Sequence, residues 1–516
     1  MHFSNRIYFF CTVSIISFCF IHKNAFSQTK NKQVEILNAN SLEYDETLGK
    51  NVKRLIGQVH LKQDDINMFC DSAYFYSETN AVDAYGKVHI IKDGGTDIYS
   101  DFLKYNGNTK MAEFQKNIKL IDNNSTLTTE LLYYDMANSI ANYPNGGTII
   151  SKENTLTSEK GYYNPTSKTF SFKKNVVLTN PDYIINSDTM IYNSATKTCF
   201  FIGPTNIKSK NNFIYCEYGW YNTELNTSLF KKNAYILSQK QKLKGDSIAY
   251  EKSKNIGKAF GNVSITDTAQ HIIASGNYAT YFEKEKKSII TNHALLKQYS
   301  DSDTLFLHAD TICSLELPIT KKRFKNDTAT TQQLLLAYHK VCFYKQDLQG
   351  KCDSLSYSDY DSTMHLFNKP VLWSDKTQMT ADKIELLIAN GKMNKMFMKT
   401  NSFLSSRHDS TMFDQIKGKN MTGFFKDNNL VKILVNGDGQ TIYFPKDKDK
   451  YIGANKADCS NLIIYLLENE VHKVTFLKKT QATLFPMSDY NQDEFTLKGF
   501  SWRGQERPLT VEDIFK

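Results

Sequence analysis

An acidic residue recurs along this chain at an almost fixed interval, and the interval limits the folds available to it. The first step is 30 residues and the following steps are 29 residues. These acids are Asp71, Asp101, Glu130, Glu159, Asp188, Glu217 and Asp246. A tyrosine follows most of them four residues later, as at Tyr105, Tyr134, Tyr163, Tyr192, Tyr221 and Tyr250. A constant period with variable residues between the landmarks indicates a repeat protein, in which each unit packs on its neighbours.

A second landmark lies 17 residues after the acid, as Val88 lies after Asp71. The two residues before it, here Gly86-Lys87, form a pair that suits a turn. After it apolar and polar residues alternate, as in Val88-His89-Ile90, which is typical of a half-buried strand. Each repeat is therefore predicted to be strand, turn, strand, turn, strand. The constant spacing would keep successive strands in register, because a slip of one residue would turn the apolar side chains outwards.

The termini and one irregular segment divide the chain. Residues 1–27 contain an apolar run, Ile7 to Ile21, and end in Ala25-Phe26-Ser27, which predicts a secretory signal peptide; a retained N-terminal anchor is the alternative. We expect residues 28–313 to form N-terminal repeats and residues 336–516 to form C-terminal repeats with a cap. Residues 314–335 are polar, basic and poorly periodic, and predict a surface loop or hinge.

Cysteine positions argue against a disulfide framework. Cys70, Cys216 and Cys352 each stand directly before a repeat acid, where other repeats carry Ser100 or Thr129. A position shared by these residue types favours a small packed side chain over a disulfide partner.

Catalytic and metal-binding patterns are missing from the sequence. It contains no nucleophile-elbow, zinc-protease or phosphate-loop motif, so we expect neither an enzyme nor a cofactor. The repeat acids stand alone and are replaced by Asn40 and Asn277 in flanking copies, which favours a turn role over calcium ligation. The net charge of +9 is spread along the chain, and the predicted export argues against a nucleic-acid partner.

The repeats resemble the organic-solvent-tolerance A (OstA) family, which includes LptA-like periplasmic proteins of lipopolysaccharide transport. The segments that carry the resemblance are Gly57-Gln58-Val59-His60-Leu61, Gly86-Lys87-Val88-His89-Ile90 and Gly261-Asn262-Val263-Ser264-Ile265, with later segments around Asn368 to Trp373 and Val435 to Tyr443. The resemblance implies an elongated, open β-jelly-roll, which is a folded-over sheet with an apolar groove that shelters acyl chains.

The resemblance also implies a function. We expect a non-enzymatic periplasmic protein, associated with the inner or outer membrane, that binds lipopolysaccharide and pairs through edge strands with other transport proteins or with itself. The expected groove residues are Val59, Leu61, Val88, Ile90, Ile118, Leu120, Val176, Leu178, Val263 and Ile265. The alternative is that these residues fill the core of a dry β-solenoid, which would be a structural or adhesive protein.

Overall fold

A computed structural model describes residues 32–516 apart from 45, 46, 48, 93–94, 123–124, 211, 239–240, 300–302, 320–329, 390–391, 448–449 and 468–469. The predicted signal peptide and residues 320–329 of the predicted basic loop or hinge therefore lie outside the described residues. The chain divides into two compact units, residues 1–114 and residues 115–516.

Antiparallel strands make up almost all of the described chain. In the N-terminal unit they are β1 (Glu35–Asn38), β2 (Ser41–Tyr44), β3 (Val52–Gln63), β4 (Ile66–Tyr76), β5 (Ala81–Lys92) and β6 (Thr96–Asn106), and β7 (Met111–Asp122) runs across the boundary. The next strands are β8 (Ser125–Asp135), β9 (Ile140–Tyr143), β10 (Gly147–Ser151), β11 (Asn154–Ser158), β12 (Lys160–Asn164), β13 (Thr169–Asn180), β14 (Tyr183–Asn193), β15 (Thr198–Ser209), β16 (Asn212–Asn222), β17 (Thr227–Lys231), β18 (Tyr235–Ser238), β19 (Gln241–Lys244), β20 (Ser247–Glu251), β21 (Ile256–Asp267) and β22 (Ile272–Phe282).

The C-terminal repeats continue the same pattern with longer strands. They are β23 (Lys287–Tyr299), β24 (Thr304–Pro318), β25 (Thr331–Tyr344), β26 (Gln349–Ser358), β27 (Thr363–Phe367), β28 (Val371–Ser374), β29 (Thr377–Thr380), β30 (Lys383–Ala389), β31 (Lys392–Arg407), β32 (Phe413–Lys426), β33 (Asn429–Tyr443), β34 (Lys446–Asp447), β35 (Lys450–Tyr451), β36 (Ala454–Leu467), β37 (Glu470–Leu477) and β38 (Gln481–Phe485). Short 3₁₀ turns follow at Met487–Asp489, Gly504–Glu506 and Glu512–Phe515.

Each repeat is a hairpin whose strands bend at a corner. In β13 and β14 the residues Thr169–Lys173 pair with 189–193, and Val176–Asn180 pair with 183–187, with a register shift between the two blocks. We call the sheet segments on the Thr169–Lys173 side layer A and those on the Val176–Asn180 side layer B. Apolar side chains of both layers meet in one core cluster that includes Phe172 and Val176. This confirms the predicted all-β fold, a folded-over sheet of about 29-residue repeats of the β-jelly-roll type.

The predicted turn pair does not reverse the chain. Lys174 and Asn175 lie inside the continuous strand β13, and both have positive φ angles, +61° and +50°. Two residues in the left-handed region form a bulge, which bends a strand without ending it. The pair is therefore the corner between layers A and B, and the reversals lie at the hairpin ends.

Two predicted segments differ from the structure at their bounds. Residues 314–335 were predicted to be a surface loop or hinge. Strand β24 nevertheless continues through residues 314–318, and strand β25 begins at residue 331, because the alternation of apolar residues continues at both ends of the segment. The C-terminal tail, residues 495–516, is predicted to cap the stack of repeats. It instead folds back over the outward face of layer B, where Gln378 donates to Ser501 O over 2.7 Å and Phe515 lies 4.6 Å from the His308 ring.

The seven cysteines of the described residues are free and buried. Burial raises the pKa of Cys216 to about 12, so this thiol is protonated and unreactive at neutral pH. Cys352 donates to Ser354 O over 3.3 Å, and Ser100 makes the equivalent bond to Phe102 O. The position before the acid is therefore a small packed slot, as predicted. No helix among the described residues is long and apolar enough to cross a membrane.

Candidate functional site: the interior between the two layers

The repeat acids hold the corners together. The Asp246 N–H donates to Gly261 O over 2.9 Å, and Asn262 Nδ2 donates to both carboxylate oxygens of Asp246 over 3.1–3.2 Å. Gly261 has φ +66°, and a Cβ there would lie 2.2 Å from Asp246 Oδ2, so glycine suits this corner, although the equivalent residue Lys174 adopts a similar φ of +61°. Asn175 and Glu159 repeat the side-chain bond at 2.6 Å.

The acid column is therefore structural, which agrees with the turn role predicted for it. Its members are partners of the corner amides and are separated by whole repeats. No group of three or more metal-ligating side chains occurs among the described residues.

The predicted groove residues face the interior, but with different degrees of burial. Those directly after a corner are at most 2% exposed: Val59, Val88, Ile118, Val176 and Val263. Leu61 and Ile90, two residues further on in the N-terminal unit, are 0% exposed. The equivalent Leu120, Leu178 and Ile265 of the second unit are half-buried. The residues directly after a corner thus form a filled core in both units. In the second unit, the side chains two residues further along the strand are partly accessible to solvent.

A row of half-buried apolar side chains runs along layer B in the second unit. It recurs every 29 residues, at Leu120, Ile149, Leu178, Ile207, Ile236 and Ile265. From Ile149 onward its members pack against the buried core cluster from the accessible side. We call this set the aliphatic row.

Half-buried tyrosines occupy the corresponding depth on layer A, at Tyr163, Tyr192, Tyr221 and Tyr250. Tyr163 stacks on Phe170 with ring centroids 4.3 Å apart, which agrees with the predicted cross-strand packing. Desolvation, followed by the hydrogen bond to Glu283, raises the pKa of Tyr250 to about 12. Tyr250 therefore stays neutral at physiological pH. From Ile149 to Ile265 the aliphatic row packs against the same core cluster as Tyr192 and Tyr221, and all of these side chains are half-buried.

The interior of the N-terminal unit is closed by polar contacts. Tyr105, the counterpart of the half-buried tyrosines, is 2% exposed and donates to Gln63 Oε1 over 2.6 Å. Gln63 Nε2 in turn donates to Gly107 O over 2.8 Å. Lys110 pairs with Asp64 at 2.6 Å beside them. This clasp, Gln63, Asp64, Tyr105 and Lys110, joins the end of layer B to the end of layer A.

Sequence reasoning missed three members of the aliphatic row, Ile149, Ile207 and Ile236. Their repeats carry Gly147, Thr205 and Ala234 where the others carry valine or isoleucine, so the glycine–valine motif did not mark them. The signal that finds them is the 29-residue step from Leu120 and Leu178.

One corner of the second unit is interrupted. Strands β9 and β10 stop on either side of residues 144–146, and the Tyr143 ring fills the corner, where its hydroxyl lies 2.7 Å from Ser158 Oγ. An open cleft of about 700 Å³ lies there, lined by Asn117, Glu130 and Glu159 as well as Ile118. Most of the residues that line it are polar or charged.

Part of this chain is similar to a known protein family. Residues 31–188 match the family model described as OstA-like protein, which confirms the resemblance over that part of the chain. Among solved structures, the chain is similar to LptH, the LptA homologous periplasmic component of the lipopolysaccharide transport device from Pseudomonas aeruginosa. That match has 14% identity, covers 21% of this chain and 82% of that chain, and has a TM-score of 0.20. No curated protein matches the chain.

Proposed function

We propose that this chain, which is OstA-like over residues 31–188, is a non-enzymatic lipid-binding protein of the cell envelope. In this proposal it carries lipopolysaccharide across the periplasm towards the outer membrane and shelters the acyl chains between layers A and B. The observation that carries the proposal is the aliphatic row, which places one half-buried apolar side chain per repeat on layer B, in repeats whose layer A carries half-buried tyrosines.

The dimensions of the row suit long apolar ligands. Each repeat adds two strands, so neighbouring members lie about 10 Å apart and the six members span about 50 Å. Burial of an acyl chain contributes about 0.8 kcal/mol per CH₂, so several chains along the row would bind without any catalytic group. The proposed site residues are the predicted Leu120, Leu178 and Ile265 together with Ile149, Ile207 and Ile236.

Partners would attach through strand edges. The last strand of layer A is β37, which pairs with β36 along residues 470–477. A strand of a partner protein could pair with the other edge of β37. We propose other lipopolysaccharide-transport proteins, or a second copy of this chain, as the occupants.

The test is site-specific photo-crosslinking in a lipopolysaccharide-bearing host. A photoreactive residue at Ile207, inside the interior, is compared with one at Ile184, which lies on the adjacent strand and is 41% exposed on the opposite face. Lipopolysaccharide crosslinked at Ile207 and absent at Ile184 would support the proposal. Equal labelling at both positions, or none at Ile207, would contradict it.

A second candidate is a structural or adhesive β-protein with a filled core. Complete burial of Leu61, Ile90 and Tyr105 in the N-terminal unit favours it, as does the burial of Phe343 and Met379 in later repeats. Mass spectrometry of the protein purified from the same host separates the two: a lipid-free, stable protein would favour the filled core.

A further inference from the structure

Lysines and aromatic rings alternate across five neighbouring strands on the outward face of layer A in the last repeats. The residues stand directly opposite one another in the register of β31, β32, β33, β36 and β37. They are Lys395, Phe424, Lys432, Tyr465 and Lys473. We call this set the lysine–aromatic ladder.

Each ammonium group of the ladder lies over a ring. Lys395 and Lys432 are 5.6 and 5.5 Å from the Phe424 ring centroid. Lys432 and Lys473 are 5.6 and 6.0 Å from that of Tyr465. Lys395 and Lys432 are half-buried as whole residues, as expected for lysines whose aliphatic stems lie along neighbouring rings.

The ladder carries positive charge without carboxylate partners among the described residues. Two acids near the ladder bind other lysines: Asp427 pairs with Lys392 at 2.7 Å, and Glu385 pairs with Lys383 and Lys399 at 2.8 and 2.7 Å. An unpaired row of three lysines at two-strand spacing, about 10 Å, is complementary to an array of phosphates.

Apolar residues flank the ladder on the same face. Ile463 and Leu467 lie two residues to either side of Tyr465 in β36, and Leu467 is 63% exposed. Leu434 stands in register with Ile463 on the neighbouring strand β33. Lysine, tyrosine and exposed aliphatic side chains together are the composition of surfaces that rest at the headgroup level of a bilayer.

We propose that the lysine–aromatic ladder is a docking surface for the anionic phosphate headgroups of a lipid bilayer. It holds the C-terminal repeats against a membrane surface through three lysines and through insertion of Phe424, Tyr465 and Leu467. This inference is independent of the proposed transport function, because it concerns the outward face of layer A and not the interior.

The test is co-sedimentation of the purified chain with phosphatidylcholine vesicles that contain or lack phosphatidylglycerol. The ladder variant is Lys395→Gln, Lys432→Gln and Lys473→Gln together. The matched control replaces Lys104, Lys242 and Lys297, which also lie over single rings, at 5.9, 4.5 and 5.7 Å, but far apart in the sheet. Both variants lose the same net charge.

We expect the ladder variant to lose binding to anionic vesicles by on the order of 100-fold, because each of the three lysines near such a surface contributes about fivefold. The control should lose far less, and high salt should release the wild type. Equal losses in both variants would overturn the proposal in favour of general charge attraction. Binding to heparin without binding to vesicles would overturn the lipid assignment.

A second readout does not depend on affinity. Tyr465→Trp should be quenched by nitroxide-labelled lipid in anionic vesicles, whereas Tyr99→Trp, which is exposed in the N-terminal unit, should not. Quenching of both positions, or of neither, would contradict docking through the ladder. Lipopolysaccharide crosslinking at Ile207 should be unchanged in the ladder variant, so failure of one proposal is distinguishable from failure of the other.

Discussion

The interior of the N-terminal unit and that of the middle repeats are built from the same landmarks but differ in access. Leu61 and Tyr105 of the first are buried, whereas Ile207 and Tyr192 of the second are half-buried at the same repeat positions. The difference lies at the ends of the hairpins, where Gln63 and Asp64 bond to layer A in the first unit. The repeated residues place apolar side chains between the two layers in both regions. Contacts made by residues that do not recur, such as Gln63 and Asp64, close the interior in the first unit.

The largest effect should come from removing a side chain of the closed interior. Leu61→Ala should cost about 2–5 kcal/mol of local stability, because it leaves a cavity that its fully buried surroundings cannot fill. Ile207→Ala should cost clearly less, since its side chain already contacts solvent. Native-state hydrogen exchange, resolved to β3–β6 and to β14–β16, measures both changes locally. Equal losses at the two sites would mean that the interiors do not differ.

Opening the clasp should have the next largest effect. Gln63→Ala leaves the buried Tyr105 hydroxyl and Gly107 carbonyl without a partner, which should cost about 1–3 kcal/mol in the N-terminal unit. Gln241→Ala is the control, because Gln241 is exposed and its side chain donates to the Asp267 carboxylate in an exposed hydrogen bond. Thermal melting and binding of a hydrophobic dye should both respond to the first change. An unaltered melt with no dye binding would show that the clasp does not close the interior.

Filling the open interior should affect ligand binding more than stability. Ile207→Trp adds volume where the side chain has solvent beside it, and we expect about a tenfold loss of lipopolysaccharide binding with little change in melting. Leu61→Trp, in the closed interior, should reverse the pattern and destabilise the protein through overpacking. Co-purified lipid, quantified by mass spectrometry, and the melting temperature are the two measurements. If Ile207→Trp left lipid binding intact, the aliphatic row would not be part of the binding site.

The smallest effect should be the pH dependence of the clasp. The hydrogen bond from Lys110 lowers the pKa of Asp64 below its ordinary value of 3.8. A lowered folded-state pKa stabilises the protein above the unfolded-state pKa, and this contribution is lost as the pH falls through the folded-state value. We expect protection of the hairpin ends in the first unit to fall by no more than about 1 kcal/mol below pH 4, since the pair is partly exposed.

Two replacements check this assignment. Asp64→Asn should abolish the loss of protection in the first unit at low pH. Asp427→Asn should leave it intact, because Asp427 pairs with Lys392 in the second unit. An unchanged acid response in the Asp64 variant would assign it to other carboxylates.

The repeat period predicted the fold, because Asp71, Val88 and their counterparts fix strand register through local contacts. It also predicted the inward direction of Leu120, Leu178 and Ile265. It did not predict which parts of the interior are open, since Tyr105 and Tyr192 look alike in the sequence and differ through a bond to Gln63, 42 residues from Tyr105. The position of the C-terminal tail could not be predicted from the sequence either, because it depends on contacts such as that between Gln378 and Ser501, which are 123 residues apart.

The corners have a consequence for how such a chain changes in evolution. Asp246 bonds to Gly261 and Asn262 of its own hairpin, so a corner needs nothing from more distant repeats. Duplication of one 29-residue segment would therefore insert a complete hairpin, with its corner already formed, and widen the sheet by about 10 Å. Deletion would shorten it by the same step. Unequal recombination could therefore change the width of the sheet by whole repeats, without substitutions at any corner.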